Sequence, residues 1–306
     1  MHEPIVFFKG EFVPASQAHL NIYDLGVISG ATFTEMTRTF AGLPFRLDDH
    51  LQRLSASLQY AEIVIPYTLE ELREKTLQLV EHNFPLLKAG QDLAVVCFVT
   101  AGENLAYAGR ADRSTPLAPT VCIHSFPLAF SSWQRFFTGG AHVVTPQIRH
   151  IPPQCIDPKT KHRSRLHWFL ADSQTRQIDS QALSLLLDLN DYITESTGAN
   201  FLILQVRTVF SPPSRNILHG VSLQTVKEIV EELQLEWIEK DLQVSDVVAA
   251  DEAWLTSTPY CIAPCTRINN LPIGNGAIGP VFREIQLQWN GRVKMDIEAQ
   301  IMASNY

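Results

Sequence analysis

Lys161-His162-Arg163-Ser164-Arg165-Leu166-His167-Trp168-Phe169-Leu170, taken together with Thr194-Glu195 further along, is the stretch that decides how this chain is to be read. Apolar residues at helical spacing follow the lysine and predict a helix from about Ser164 to Gln177. Glu195 comes just past a strand-like run, ahead of Gly198-Ala199-Asn200-Phe201-Leu202. A primary amine can trap a carbonyl as an imine, and a carboxylate can hold a proton on a ring nitrogen. Lys159 competes with Lys161 for the first role, but it directly follows Pro158 in a turn-like context.

The bulk composition bounds what surrounds this pair. A chain of 306 residues exceeds one typical core, so two domains are expected. With 45% hydrophobic and 18% charged residues it reads as a soluble globular protein. Its net charge of −8 argues against a nucleic-acid partner or an anionic membrane surface. Any anion site must therefore be a local basic cluster. Met1-His2-Glu3-Pro4 shows no signal-peptide pattern and no apolar run could span a bilayer, so a cytoplasmic location is expected. Cys97, Cys122, Cys155, Cys261 and Cys265 are an odd, scattered set that reads as free thiols. The C-x-x-x-C pair has no second ligand pair, so no metal is expected.

In chain order, Ile5 to Val13 reads as a hairpin turning at Lys9-Gly10. Asp24-Leu25-Gly26 begins a loop, and Phe33 to Phe40 is a strand rich in β-branched and aromatic residues. Gly42-Leu43-Pro44 is a turn. Asp48 or Asp49 caps a helix on which Leu51, Leu54 and Leu58 share a face, and which carries Arg53. Thr68-x-x-Glu71 is a capping box opening a helix to about Asn83. Strands are expected at Leu93–Val99, 119–124 and 142–145. Two more, Leu183–Leu187 and 201–206, are joined by a turn at Asn190-Asp191. Helices follow at 221–233 and 244–249, a strand at Glu252–Ser257 and a closing helix at 280–289. The mixture is α+β. Aromatics, serines and Gly139-Gly140 mark a boundary, giving a small domain 1–125, a connecting segment 126–137 and a larger domain 138–306.

Five further features bear on chemistry. Gly274-Asn275-Gly276-Ala277-Ile278-Gly279 spells G-x-G-x-x-G, but too little chain follows it for the helix, second strand and acidic ligand of a dinucleotide fold. A turn ahead of a helix starting at Pro280 is the better reading. Gly220-Val221-Ser222 is a glycine–helix junction, either an ordinary serine cap or a start whose amides hold a phosphate. Arg53 is either a solvated surface residue or a bidentate phosphate ligand. Thr256-Ser257-Thr258 ends a strand and is either a loop or a source of hydroxyls for the same anion. His162 and His167 read as packing residues, since no H-E-x-x-H pattern exists.

The order of these features resembles the fold-type IV enzymes of pyridoxal phosphate (PLP), which include branched-chain and D-amino-acid aminotransferases and 4-amino-4-deoxychorismate lyases. The resemblance runs from about Phe7 to Trp289. It rests on Arg46-Leu47-Asp48-Asp49-His50-Leu51-Gln52-Arg53-Leu54, the lysine segment, Thr194-Glu195-Ser196 with Ala199-Asn200-Phe201, Gly220-Val221-Ser222 and Asp251-Glu252-Ala253-Trp254. It implies a small N-terminal α/β domain and a larger C-terminal pseudo-barrel domain. Lys161 would be the catalytic lysine that forms the internal aldimine, and Glu195 the partner of the ring nitrogen. Arg53, Val221, Ser222 and Thr258 would bind the phosphate. The implied activity is amino transfer between an amino acid and a 2-oxo acid in a homodimer. The alternative is a lyase releasing pyruvate and 4-aminobenzoate, whose branch the spelling Lys161-His162-x-x-Arg165-Leu166 is closer to. A third possibility is a non-catalytic, metabolite-binding relative. No arginine stands near Thr100-Ala101-Gly102, where the resemblance would place a reader of the substrate carboxylate.

Overall fold

The computed structural model describes residues 3–110 and 117–304; Met1 and His2, on which the expectation of no signal peptide partly rests, lie outside it. Contacts divide the chain into two units. The first is Met1–Leu128 with Thr160–Ser164, and the second is Ala129–Lys159 with Arg165–Tyr306. Each mixes helix and sheet.

The first unit opens with the expected hairpin, β1 (Ile5–Phe8) against β2 (Glu11–Pro14), turning at Lys9 and Gly10, both with positive φ. The loop expected at Asp24 is a single helical turn, α1 (Leu25–Ile28), because the Asp24 carboxylate accepts the Gly26 N–H at 2.7 Å and starts it. Then come β3 (Thr32–Phe40), β4 (Leu43–Pro44), α2 (Leu47–Tyr60), α3 (Leu69–Asn83), β5 (Leu93–Thr100) and β6 (Thr120–Pro127). They build one sheet in the order β2-β1-β6-β5-β3-β4. The cap expected from Asp48 or Asp49 is not formed. Both lie in the first turn of α2, and Arg46, in the left-handed region at φ 52°, takes the cap position. Carboxylates in a first turn still favour the helix start through its dipole. The capping box of α3 forms as expected, with Thr68 and Glu71 bonded reciprocally.

One face of this sheet buries Val95, Cys97 and Val99 against Leu51, Leu54 and Leu58 of α2 and Leu72 and Leu79 of α3. The other face carries Val96, Phe98 and Cys122, with Phe8 and Met36 packed beside them. This is the two-residue period of a strand: odd positions of β3 meet the helices, and even positions face away.

The second unit runs α4 (Gln134–Gly139), β7 (Ala141–Val144), α5 (Leu166–Ile178), β8 (Leu183–Leu187), β9 (Ile193–Ser196), β10 (Asn200–Gln205), β11 (Thr208–Ser211), α6 (Val221–Glu232), β12 (Glu236–Glu239), α7 (Val244–Val248), β13 (Glu252–Ser257), β14 (Cys261–Ile268), β15 (Leu271–Pro272), α8 (Pro280–Val293) and α9 (Ile297–Met302). Its sheet has the order β12-β11-β10-β13-β14-β7-β8-β9, with β15 on β14. The turn at Asn190-Asp191 leads from β8 into β9 rather than into β10, so Glu195 sits inside a buried four-residue strand. Ile-Thr-Glu-Ser is too short and too polar to show a strand pattern. Strand β14 is also absent from the sequence reading, because Pro264 interrupts its run. Its Cys261 and Cys265 are buried thiols outside any disulfide among the described residues, as are Cys97 and Cys122, while Cys155 is exposed. Among the described residues no His, Cys, Asp or Glu cluster could hold a metal. No helix among them is long and apolar enough to cross a membrane.

The glycine-rich Gly274–Gly279 stretch is the turn ahead of α8, with Pro280 in its first turn. The carboxylate of Glu252 fills that helix start, accepting the N–H groups of Val281 and Phe282 at 2.8 Å each and the indole N–H of Trp254 at 3.1 Å. A Cβ on Gly279 would collide with the Glu252 carboxyl group, so only glycine fits there. Replacing Glu252 with Ala strands three donors, two of them buried, and is expected to cost about 2–3 kcal/mol, measured as a fall in the urea midpoint at unchanged m.

Candidate active site

The lysine segment is built into the first unit by backbone pairing. The Thr34 N–H donates to the Lys161 carbonyl at 2.9 Å, and the Arg163 N–H to the Thr32 carbonyl at 2.8 Å, so residues 161–163 lie along the edge of β3 with His162 opposite Phe33. The Lys161 N–H donates to Ser57 Oγ at 3.1 Å, and Ser57 Oγ–H donates to the Arg53 carbonyl at 3.0 Å. Ser164 Oγ–H closes the segment on the Gly30 carbonyl at 2.8 Å. Gly30 has φ +69°, and an added Cβ would meet Ser164 Oγ at 2.9 Å, so this approach requires glycine. The lysine is half-buried, with its backbone held on both sides. Lys159 is exposed and stands outside the pairing, its N–H bonded to Asp157 at 3.0 Å.

Under that segment, β3 and α2 share a buried ionic cluster. Arg53 donates through Nε and Nη2 to the two carboxylate oxygens of Glu35, at 2.7 Å each, and His50 Nδ1 lies 2.8 Å from the same carboxylate. Burial alone would raise the Glu35 carboxyl, but Arg53 and His50 bring it down to about 2. Burial lowers the His50 imidazole despite Glu35. Arg53, expected at a phosphate, thus has its guanidinium plane fixed by an internal carboxylate.

The second unit holds Glu195, Val221, Ser222 and Thr258. The Glu195 carboxylate is buried and accepts the Leu218 N–H at 3.0 Å and Asn200 Nδ2–H at 3.2 Å, with His150 Nε2 at 3.3 Å. His150 Nδ1 lies 3.0 Å from the Ile151 carbonyl oxygen. Both ring nitrogens therefore face acceptors, and only the imidazolium has a proton for each. Burial works against that charge, yet Glu195, the Ile151 carbonyl and Asp188 hold His150 above its ordinary value. Neither His150 nor Asn200 is assigned a role in the sequence reading. A lone histidine before Pro152-Pro153 gives no signal, and Asn200 counts there only as part of a motif.

Asn200 links this carboxylate to a helix start. Its Nδ2 also donates to the Leu218 carbonyl at 2.9 Å, and its Oδ1 occupies the space that a Cβ on Gly220 would need. Gly220 is the N-cap of α6, twelve residues long, and no side chain caps it; Val221 and Ser222, in its first turn, are buried. Strand β13, against which α6 packs, pairs Thr256 with Asn200. Thr256 Oγ1 is buried with no partner among the described residues, and half-buried Thr258 follows in the turn. An uncapped helix start beside an orphaned hydroxyl is what an anion needs, and a buried carboxylate with fixed donors suits a protonated ring nitrogen. These residues fit the phosphate and the ring nitrogen of PLP.

His150 ties its charge to stability. A folded-state pKa raised above the ordinary 6.5 stabilises the protein in full below that value, and the contribution is lost as pH rises through the folded value. The stability difference between the native protein and His150→Gln is thus expected to be largest on the acid side and to narrow as pH rises through the raised folded value, as read by urea unfolding from acid to alkaline pH.

The family model described as Amino-transferase class IV matches residues 32–268. The chain is 26% identical over 296 residues to a putative branched-chain-amino-acid aminotransferase of Methanocaldococcus jannaschii, covering 94% of this chain and 98% of that one. It is 25% identical to the D-alanine aminotransferase of Bacillus licheniformis, covering 92% and 94%. Among solved structures, the PLP form of the branched-chain amino acid aminotransferase of Thermobaculum terrenum superposes with a TM-score of 0.80 at 21% identity, covering 98% of this chain and 95% of that one. The branched-chain aminotransferase of Thermoproteus uzoniensis, with norvaline, gives 0.83 at 22% identity over 94% of each. With more than half its length inside the family model and this two-unit α+β architecture, the chain belongs to the class IV aminotransferases, of fold type IV.

Proposed function

We propose that this protein is a PLP-dependent aminotransferase that moves an amino group between an amino acid and a 2-oxo acid. One observation carries the reading: Asn200 joins a buried, donor-held carboxylate to an uncapped helix start beside an orphaned hydroxyl. A ring nitrogen and a phosphate on one small molecule call for that combination.

When bound, PLP supplies an aldehyde that an amine can hold and a ring that draws electrons from the substrate Cα. Lys161 would be the amine that holds this aldehyde, and its free base would take the Cα proton. Its backbone bonds to Thr34 and Ser57 keep the side chain's origin fixed while that proton moves. Glu195 keeps the proton on the ring nitrogen, and His150 with Asn200 keeps Glu195 aimed. The amides and hydroxyl of Val221 and Ser222, the hydroxyl of Thr258 and the guanidinium of Arg53 bind the phosphate; Thr256 adds a hydroxyl.

The spelling Lys161-His162-x-x-Arg165-Leu166 supports a second reading, a lyase that releases pyruvate from 4-amino-4-deoxychorismate along with 4-aminobenzoate. Screening L- and D-amino acids for loss of the bound cofactor's visible band separates the two. Loss of the band, with an amine form that then accepts a 2-oxo acid, supports transfer. Pyruvate without an amine form supports the lyase. A protein that stays colourless with added PLP supports neither, and would fit a non-catalytic relative. Borohydride reduction followed by peptide mass spectrometry is expected to place the cofactor on Lys161, and Lys161→Ala to abolish that adduct.

A cytoplasmic homodimer completes the proposal. Buried free thiols support the compartment. Leu166 and Phe169, 70% and 64% exposed one turn apart on α5, support a second copy that covers them. Light scattering is expected to give twice the mass of one chain, and Leu166→Glu with Phe169→Glu to lower it toward that of a single chain.

A further inference from the structure

Most arginines of this acidic chain are spoken for. Arg38, Arg46, Arg53, Arg149, Arg215 and Arg292 each lie against a carboxylate. Arg163 has no carboxylate or other side-chain acceptor among the described residues. Its guanidinium lies instead over the ring of Phe98, 4.6 Å from the centroid.

Where it stands makes that notable. Residues 161–163 are extended along β3 with His162 opposite Phe33, so Lys161 and Arg163 share the other face, one pleat apart. That face is the one turned away from α2 and α3. It carries Thr34, Phe98 and Cys122 in one row of the sheet, and Met36, Val96 and His124 in the next. His124 is the second basic group there, 6.0 Å from Phe98 by ring centroids and stacked on Phe126. Burial, and then the neighbouring Arg163, hold its imidazole below the ordinary value, so it serves as a neutral donor beside a permanent cation. The buried Asp24 carboxylate further along the face is already taken, accepting from Gly26, Thr100 and Thr120. The result is a guanidinium and an imidazole on uncharged surroundings, next to the lysine proposed to handle an amino acid.

The geometry points to Arg163, with His124 beside it, as the group that reads the substrate's carboxylate. This rests on the function proposed above and adds its specificity. A guanidinium takes a carboxylate through two parallel hydrogen bonds. Phe98 beneath it fixes the plane in which they form and limits water on one side. The carboxylate is either the one on the reacting carbon or one at the end of a substrate side chain. Both present the same chemistry to Arg163.

Arg163→Met and Arg163→Lys in the PLP-loaded enzyme test this with three kinds of amino donor: monocarboxylic amino acids, dicarboxylic amino acids and 1-phenylethylamine, which has no carboxylate. In Arg163→Met, KM for carboxylate-bearing donors is expected to rise roughly ten- to hundredfold, with kcat changed by less than about threefold. The amine is expected to be unaffected, and Arg163→Lys to recover part of the loss. Hexanoate, which has no amino group to react, is expected to inhibit the native enzyme and to lose that inhibition in Arg163→Met. A rise for all amino acids assigns the α-carboxylate; a rise for the dicarboxylic ones alone assigns the side-chain carboxylate. Unchanged KM and hexanoate inhibition in a variant that keeps its visible band overturns this role and leaves the proposed function standing. A native protein that forms no band with added PLP overturns both.

Discussion

Two backbone hydrogen bonds, from Thr34 to the Lys161 carbonyl and from Arg163 to the Thr32 carbonyl, fix the geometry on which the chemistry depends. They turn a short polar piece of chain into an edge strand, and an edge strand has only two faces. Once His162 lies opposite Phe33, Lys161 and Arg163 must share the other face. Backbone pairing can place an amine this firmly because it does not depend on the side chain. The side chain can change partners while its origin stays still. The Glu35–Arg53–His50 cluster supports the same region from below: a buried carboxylate between two bases cannot shift without leaving a charge unpaired.

The second unit shows how one structural device serves two ends. Helices α6 and α8 both begin at a glycine with extended backbone and no side-chain cap of its own. At α8 the carboxylate of Glu252 reaches from β13 and takes the first amides. At α6 no carboxylate of the described residues is bonded to the start. The neighbouring carboxylate of Glu195 is held a short step away by Asn200 and Leu218, and Thr256 keeps a buried hydroxyl in reserve. Helix starts draw negative charge. One is satisfied by a carboxylate of the protein itself, and the other is where the phosphate is proposed to bind.

Much of this is legible in the sequence. The hairpin at Lys9-Gly10, the capping box at Thr68 and the apolar face of α2 are local signals with local causes, and they stand where the residues put them. The reading of Gly274–Gly279 as a turn ahead of a helix starting at Pro280 rests on a local signal as well, and the turn stands there. What escapes the sequence is decided by tertiary contact. Strand β9 is four residues with a polar pattern and becomes a strand only through β8. Strand β14 hides behind Pro264. The start of α5 moves to Leu166 because the residues before it pair with β3. Among the residues proposed for the site, Lys161 and Glu195 are singled out by their order along the chain. His150 cannot, because it acts through two oxygens, of Ile151 and Glu195, that the fold alone brings to its ring. Arg163 stands in plain view in the motif, but its distance from every carboxylate of the described residues is a property of the folded molecule.

The first unit's claim on residues 160–164 has a consequence for how the molecule is made. As the chain leaves the ribosome, the sheet of the first unit can assemble once β6 has emerged, but the outer side of β3 near Thr32 and Thr34 still lacks its neighbour. At ordinary rates of synthesis the missing piece follows after a delay on the order of seconds. For that interval a nascent edge with an unsatisfied amide and carbonyl is open to whatever strand it meets. Gly30, with positive φ, lies just before this edge. The segment that carries Lys161 thus arrives as the piece that seals the sheet, and a newborn chain gains that amine and its protection from mispairing in the same step.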